Sequence, residues 1–263
     1  MGNYKKDSLG DRMKMYESVP KTNLMKRTPV IIRLDGKAFH TFTRGLNKPF
    51  DKIMVNTMID TTYELCKNIQ GCVFGYTQSD EITLVLCDYQ TLNTSAWFEY
   101  QVQKMCSVAA SMCTMYFNKY FRYWVDDFKN TMLDTESNRK YLEVLQKKFD
   151  KAMFDARCFN IPKEEVTNCI LWRQNDATRN SIQSVGQFYF SNKELQNKSC
   201  NEIQDMLFLQ KGMNWNDLAT NLKRGTAVVK RYRMDFFGWE IDKEMPILKG
   251  EDREYIEKLI NFE

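Results

Sequence analysis

Two stretches of this sequence carry side chains suited to phosphate chemistry, and both place them where a strand ends. One runs Gly75-Tyr76-Thr77-Gln78-Ser79-Asp80-Glu81-Ile82-Thr83-Leu84-Val85-Leu86. Val73 and Phe74 open a β-rich run, Ile82 to Leu86 supply another, and the polar tip Gln78–Glu81 joins them as a hairpin. Adjacent carboxylates at such a tip repel each other unless a cation lies close. The other stretch is Pro29-Val30-Ile31-Ile32-Arg33-Leu34-Asp35-Gly36-Lys37-Ala38-Phe39-His40. There a buried-type strand ends in Asp35 and then Gly36, where a backbone can approach a ligand. Two strands that deliver Asp35 and Asp80 to one end of a sheet make a magnesium site for phosphate chemistry.

Composition removes most other chemistries. The chain has 263 residues and a single histidine, His40, so the usual multi-His zinc site is excluded and a Ser-His-Asp triad has only His40 to use. The 8 cysteines form no C-x-x-C pair and fall in helix or strand patterns, which reads as reduced thiols used as small hydrophobes. A charged, polar N-terminus and no apolar run of spanning length give a cytoplasmic expectation with no membrane partner. The net charge of +4 permits a nucleic-acid partner without arguing for one.

The elements that must position the acids follow from periodicity. Asp7 to Lys26 is a basic lead-in, read as a helix packed by one face or a strap. Asp51 caps a helix carrying Ile53, Met54, Met58, Leu65 and Ile69, which Gly71 ends. After the hairpin, Asn93-Thr94-Ser95 starts a second helix from about Trp97 through Phe117, largely apolar, with Lys104 a conspicuous cation on it. Residues 121–151 read as an amphipathic helical insertion, and Phe154 to Ile161 as a strand ended by Pro162. The order β, α, hairpin, α, insertion, β predicts an α+β fold, a ferredoxin-like βαββαβ unit with helices on one face of an antiparallel sheet. That topology sets the first strand beside the hairpin. The expected division is a palm-like catalytic part over 1–162 and a helical and β extension over 163–263 packed on it. Within the extension, Trp172-Arg173-Gln174-Asn175-Asp176-Ala177-Thr178-Arg179-Asn180 is too polar for packing alone. Further helix is expected over Ile203–Phe208 and Trp215–Leu222, then a basic strand over Lys223–Arg233. Arg224, Lys230, Arg231 and Arg233 are candidates for phosphate contact.

Arg33-Leu34-Asp35-Gly36-Lys37-Ala38-Phe39-His40, Gly75 to Glu81 and Trp172-Arg173-Gln174-Asn175-Asp176, in order, resemble the tRNA(His) guanylyltransferase family. The likeness is greater to its bacterial branch, the guanylyltransferase-like 3′–5′ polymerases, and covers about Asp7 to Arg233. It implies a polymerase-palm fold, two magnesium ions, ATP and GTP or other nucleoside triphosphates as substrates, tRNA as partner, and a homotetramer. It implies metal binding by Asp35, the Gly36 carbonyl and Asp80, with Glu81 in a supporting catalytic role. Nucleotide binding by Asp35, Gly36, Lys37, Ala38, Phe39, His40, Lys48, Ser79 and Asp80 follows from the same likeness, with Lys104 activating the 5′ end. Arg173, Asp176, Arg179 and Asn180 are the candidates for contact with the tRNA or its 5′ end.

Where the eukaryotic branch has H-I-N-N-L-Y-N, this chain has Thr178-Arg179-Asn180-Ser181-Ile182-Gln183. That departure favours template-directed repair of tRNA 5′ ends over addition of a single guanosine to tRNA(His), the alternative. The expected route is activation of the 5′ end with ATP, then attack by the 3′-hydroxyl of an incoming nucleotide. A nucleotide cyclase lacks support because the hairpin tip has no Gly-Gly before its acids. A non-catalytic RNA-binding palm module is the remaining competitor, and acids at its ligand end would repel RNA without metal.

Overall fold

The structure, a computed structural model, describes residues 8–233 and 236–262, the side chains of 232–237 excepted. Asp7, the first residue of the expected lead-in, lies outside that range. The chain runs α1 (Leu9–Ser18), β1 (Val30–Gly36), α2 (Phe39–Phe42), α3 (Lys52–Asn68), β2 (Cys72–Gln78), β3 (Glu81–Leu86), α4 (Val102–Thr131), α5 (Glu136–Gln146) and β4 (Phe154–Asn160). It continues through α6 (Lys163–Tyr189), α7 (Asn192–Leu195), α8 (Cys200–Lys211), α9 (Thr220–Arg224), β5 (Thr226–Arg233), β6 (Phe236–Asp242) and α10 (Glu254–Ile260).

The strands form one sheet in the order β4-β1-β3-β2-β5-β6, with every neighbouring pair antiparallel. The first four strands have the ferredoxin-like order expected from βαββαβ. β5 and β6 continue the same sheet beyond β2, so the extension shares the palm's hydrogen-bond ladder. The hairpin strands β2 and β3 are buried at every position, because both faces of the sheet are covered there. Ile32, Leu34, Leu84 and Leu86 pack with α3 and α4 on one face. Ile31, Phe74 and Val85 meet Val166 and Ile170 of α6 and Ile256 and Ile260 of α10 on the other. β4 is an edge strand with Asp155, Arg157 and Phe159 all exposed, which leaves that part of the second face bare.

Two helices differ from their expected bounds for identifiable reasons. The second palm helix begins at Val102, because Phe98, Glu99 and Tyr100 take left-handed φ values of 49, 55 and 56°. The lead-in imposes that turn: the Leu24 N–H donates to the Tyr100 carbonyl at 2.9 Å and the Asn23 amide to that of Glu99 at 2.8 Å. From Val102 the helix runs to Thr131, taking up the first part of the expected insertion. Its buried stripe of Met105, Ala109, Cys113, Phe117, Phe121 and Val125 repeats every fourth residue. α1 buries no side chain, so the lead-in helix is not packed by one face of this chain. All eight cysteines are free, and among the described residues no helix is long and apolar enough to cross a membrane.

Candidate functional site

The antiparallel register of β1 and β3 sets Asp35 directly opposite Glu81. The Gly36 N–H donates to the Asp80 carbonyl at 3.1 Å, which locks the end of β1 against the hairpin tip. Asp35 and Asp80 therefore converge, as the palm topology requires. Ser79 turns the tip with a left-handed φ of 52°, and its hydroxyl donates to the Asp80 carboxylate at 3.0 Å. Burial, together with the charge of Asp35, pushes the Asp80 carboxyl above its ordinary value, and the Ser79 bond offsets only part of this. Among the described residues neither Asp35 nor Asp80 has an ion-pair partner. Two converging acids without a cation are a ready seat for one.

The loop after Asp35 is shaped for an anion. The Gly36 and Lys37 N–H groups are engaged, the latter with the Met153 carbonyl at 2.9 Å. Ala38 then takes a left-handed conformation (φ 56°, ψ 37°) into the short α2. The N–H groups of Ala38, Phe39 and His40 that follow have no acceptor among the described residues, an open cluster of donors of the kind that binds phosphate oxygens. Gly36 is required by packing: a Cβ there would lie 2.3 Å from the Phe39 ring. That ring is held by Phe42, Phe117 and Phe154 at centroid separations of 4.9, 5.4 and 5.0 Å. Gly36→Ala is therefore expected to lower stability by about 2 kcal/mol through overpacking and to displace the loop. An unchanged urea midpoint would show that the aromatic cluster yields freely.

These pieces floor a cavity of about 570 Å³, within the range of roughly 300–1,000 Å³ usual for small-molecule sites. Gly36, Ala38, Phe39, His40, Lys48, Ser79, Asp80 and Asn180 line it among the expected site residues, with Asp35 and Lys37 adjoining in sequence. The Phe39 ring itself belongs to the core. Lys48 is carried by a turn that Asp51 organises: one carboxylate accepts from the Asn47 N–H, the Met54 N–H and the Tyr141 hydroxyl. The far wall comes from the extension, from Ala177, Ser181 and Ser184 of α6 and from Asn221 of α9. Gly225 lets that wall close on β2, because a Cβ there, at φ +85°, would lie 2.5 Å from the Tyr76 hydroxyl. Ala177, Asn180, Ser181 and Ser184 went unremarked as a group, yet small residues at helical spacing are the signal of a helix face lining a cavity.

Several other expected contacts are engaged with neighbouring side chains or lie away from the cavity. Arg173, an expected tRNA contact, is turned inward: its side chain is only 8% exposed, paired at 2.6 Å with Glu81, itself 10% exposed, and at 2.8 Å with Asp176. The reason is its position on the inner face of α6, beside buried Ile170 and Ala177. Glu81 is correspondingly engaged, and burial pushes its carboxyl up despite the nearby Arg173 and Arg33. Asp176 bridges Arg173, Arg179 and the Asn180 amide; burial opposes its charge, but Arg179 and Arg173 hold it below the usual carboxylate value. Of Arg173, Asp176 and Arg179, Arg179 is the well-exposed one. Lys104 sits at the other end of the sheet, exposed, with its ammonium 4.7 Å from the Phe98 ring centroid. The part of α4 beside the site is Thr114, whose hydroxyl accepts from the Phe154 N–H at 3.1 Å, nearly three turns or about 15 Å further along. Arg231 is held by Glu240 and Asp242, and the Arg233 side chain lies outside the described residues.

Comparison with known proteins bears on the family and the fold. The family described as tRNAHis guanylyltransferase matches residues 10–162. A bacterial tRNA(His) guanylyltransferase-like protein solved in complex with ATP superposes with a TM-score of 0.82 at 39% identity, over 96% of this chain and 99% of that one. A bacterial protein of the same description in complex with GTP gives 0.77 at 38% identity, over 97% and 99%. The probable tRNA(His) guanylyltransferase of Dictyostelium discoideum is 26% identical over 89% of this chain and 86% of its own length.

Proposed function

This chain belongs to the tRNA(His) guanylyltransferase family, and from that premise we propose that it adds nucleotides in the 3′–5′ direction to the 5′ end of tRNA, each chosen by the facing base of the 3′ strand. The observation that carries the reading is the bond from Gly36 to Asp80, which unites, at one cavity, two acids and three N–H groups that have no cation partner or acceptor among the described residues. ATP and GTP, found in the bacterial relatives, are assigned here as substrates.

The donor set fits magnesium. Among the described residues no three His, Cys, Asp or Glu side chains gather as a metal cage, and magnesium binds through one or two carboxylates, with waters and substrate phosphates completing its shell. Asp35, Asp80 and the Gly36 carbonyl would hold it, and when bound it stabilises charge on the attacking and leaving oxygens. The N–H groups of Ala38, Phe39 and His40 take the triphosphate, and Lys48 neutralises charge on it. Asn180 and Ser181 confine the nucleotide from the opposite wall. In the first step the 5′-monophosphate attacks the α-phosphorus of ATP and pyrophosphate leaves. In the second, the 3′-hydroxyl of the incoming nucleotide attacks the 5′-phosphorus, its P–O bond to AMP breaks, and the hydroxyl proton passes to solvent. A 5′-triphosphorylated end skips the first step and releases pyrophosphate in the second.

A panel of tRNAs lacking their first nucleotide, with the facing base varied, tests the choice of nucleotide. Each is expected to receive the complement of its facing base. Guanosine added whatever the template would return the chain to single-guanosine addition on tRNA(His).

A further inference from the structure

The bare face of the sheet beside the acids is neither apolar nor featureless. Trp172, on the outer flank of α6, is 55% exposed, an unusual position for the largest aromatic side chain. Arg33 of β1, 21% exposed and 3.9 Å from the Glu81 carboxylate, backs its ring at 5.5 Å from the centroid, and the buried Arg173 does so at 4.5 Å. Arg33 stands directly opposite Arg157 of the edge strand, and Asp35 opposite Asp155. Arg157 pairs with Asp155 at 3.1 Å but stays half exposed, and Phe159 is exposed one step further along the same face. At about 3.4 Å per strand residue, the Arg33–Arg157 row lies about 7 Å from the Asp35 row, and Phe159 about 14 Å. Those offsets equal the axial rise of about two and four stacked nucleotides.

Exposed aromatics interleaved with guanidinium groups, on a sheet face continuous with a phosphate-transfer site, are complementary to single-stranded RNA. Its bases stack on aromatic rings, and its phosphates pair with arginine. We propose that Trp172, Arg33, Arg157 and Phe159 form a stacking platform for the unpaired 3′ nucleotides of the RNA whose 5′ end occupies the site. The identity of that RNA rests on the function proposed above; the platform itself rests on the exposed face. Trp172, its ring backed by the mostly buried Arg33, takes the first base beyond the templating nucleotide, and the half-exposed Arg157 takes the phosphate beside it. The platform holds the 3′ strand in line with the reacting 5′ end.

Two hairpin RNAs test this, both with the same 5′-triphosphorylated end and one templating nucleotide unpaired, one of them extended by four further unpaired 3′ nucleotides. For the extended RNA, Trp172→Ala is expected to raise KM about tenfold with kcat held, the cost of one lost stacking contact. KM for the short RNA stays put, and Trp172→Phe retains most of the affinity. An equal change on both RNAs, or no change on either, overturns the platform. A second measurement needs no catalysis: an unpaired oligoribonucleotide is expected to quench tryptophan emission of the parent, and to lose most of that quenching in Trp172→Phe. No difference in quenching would also overturn it, and so would a Trp172→Ala chain whose sedimentation shows a changed oligomeric state instead. Extension of neither RNA by the parent, with quenching intact, would instead count against the proposed reaction and leave the platform standing.

Discussion

Asp80→Asn and Asp35→Asn are each expected to lower nucleotide addition by roughly three orders of magnitude, the scale of several kcal/mol of lost charge stabilisation. The measurement is single-turnover addition to a 5′-triphosphorylated RNA, which bypasses the activation step. The loss should not come from unfolding. Burial and the Asp35 charge raise the Asp80 carboxyl above its ordinary value. A carboxyl raised on folding contributes stability below its unfolded pKa that is lost as pH rises through the folded value. At neutral pH the ionised Asp80 thus costs stability in metal-free buffer, and Asp80→Asn should melt at or above the parent. Magnesium should raise the parent's melting temperature by binding the folded state, and leave the variant nearly unmoved. Activity within tenfold of the parent in either variant, or an equal magnesium response in both proteins, would sink the assignment of these acids.

The legibility of this site in the sequence was uneven, for physical reasons. Asp35, Gly36 and Asp80 are readable because each follows an apolar strand, and the βαββαβ order leaves little freedom in which strand ends meet. The capping Asp51 and the buried positions of α3 follow from local periodicity in the same way. What local pattern cannot supply is the partner of a charge. Arg173 reads as a polar residue on a polar stretch, yet it is buried because the sheet beneath it presents Glu81. Lys104 reads as a cation on an apolar helix, and its distance from the acids depends on where that helix starts. The start is set by Asn23 and Leu24, far away in sequence. β6 and α10 are absent from the expected elements; β6 extends the sheet beyond β5, and α10 closes the second core.

Arg173→Leu carries the other large expected effect. It leaves Glu81 buried without its principal cation, and removing one partner of a buried pair typically costs about 3–5 kcal/mol. Set against a total of roughly 5–15 kcal/mol for a folded domain, that loss makes the chain marginal. Double replacement, Arg173→Leu with Glu81→Leu, is expected to recover most of it, because no charge is then stranded. The pH dependence has a definite sign. The Glu81 carboxyl is already raised by burial and rises further without Arg173. The deficit of the single variant is therefore largest at neutral pH and shrinks as acid protonates Glu81. Asp176, held low, works the other way: its contribution is present above the carboxylate range and lost as pH falls, but it keeps Arg179 as a partner. Urea titrations of parent, single and double variants at neutral and mildly acidic pH measure both effects. A contact residue for tRNA would behave differently, with a raised KM for tRNA and an unchanged urea midpoint, and that pattern would overturn the clamp. The double variant also isolates chemistry from support: if it refolds and still adds nucleotides, Glu81 serves by anchoring the hairpin to α6, and the reaction itself belongs to Asp35 and Asp80.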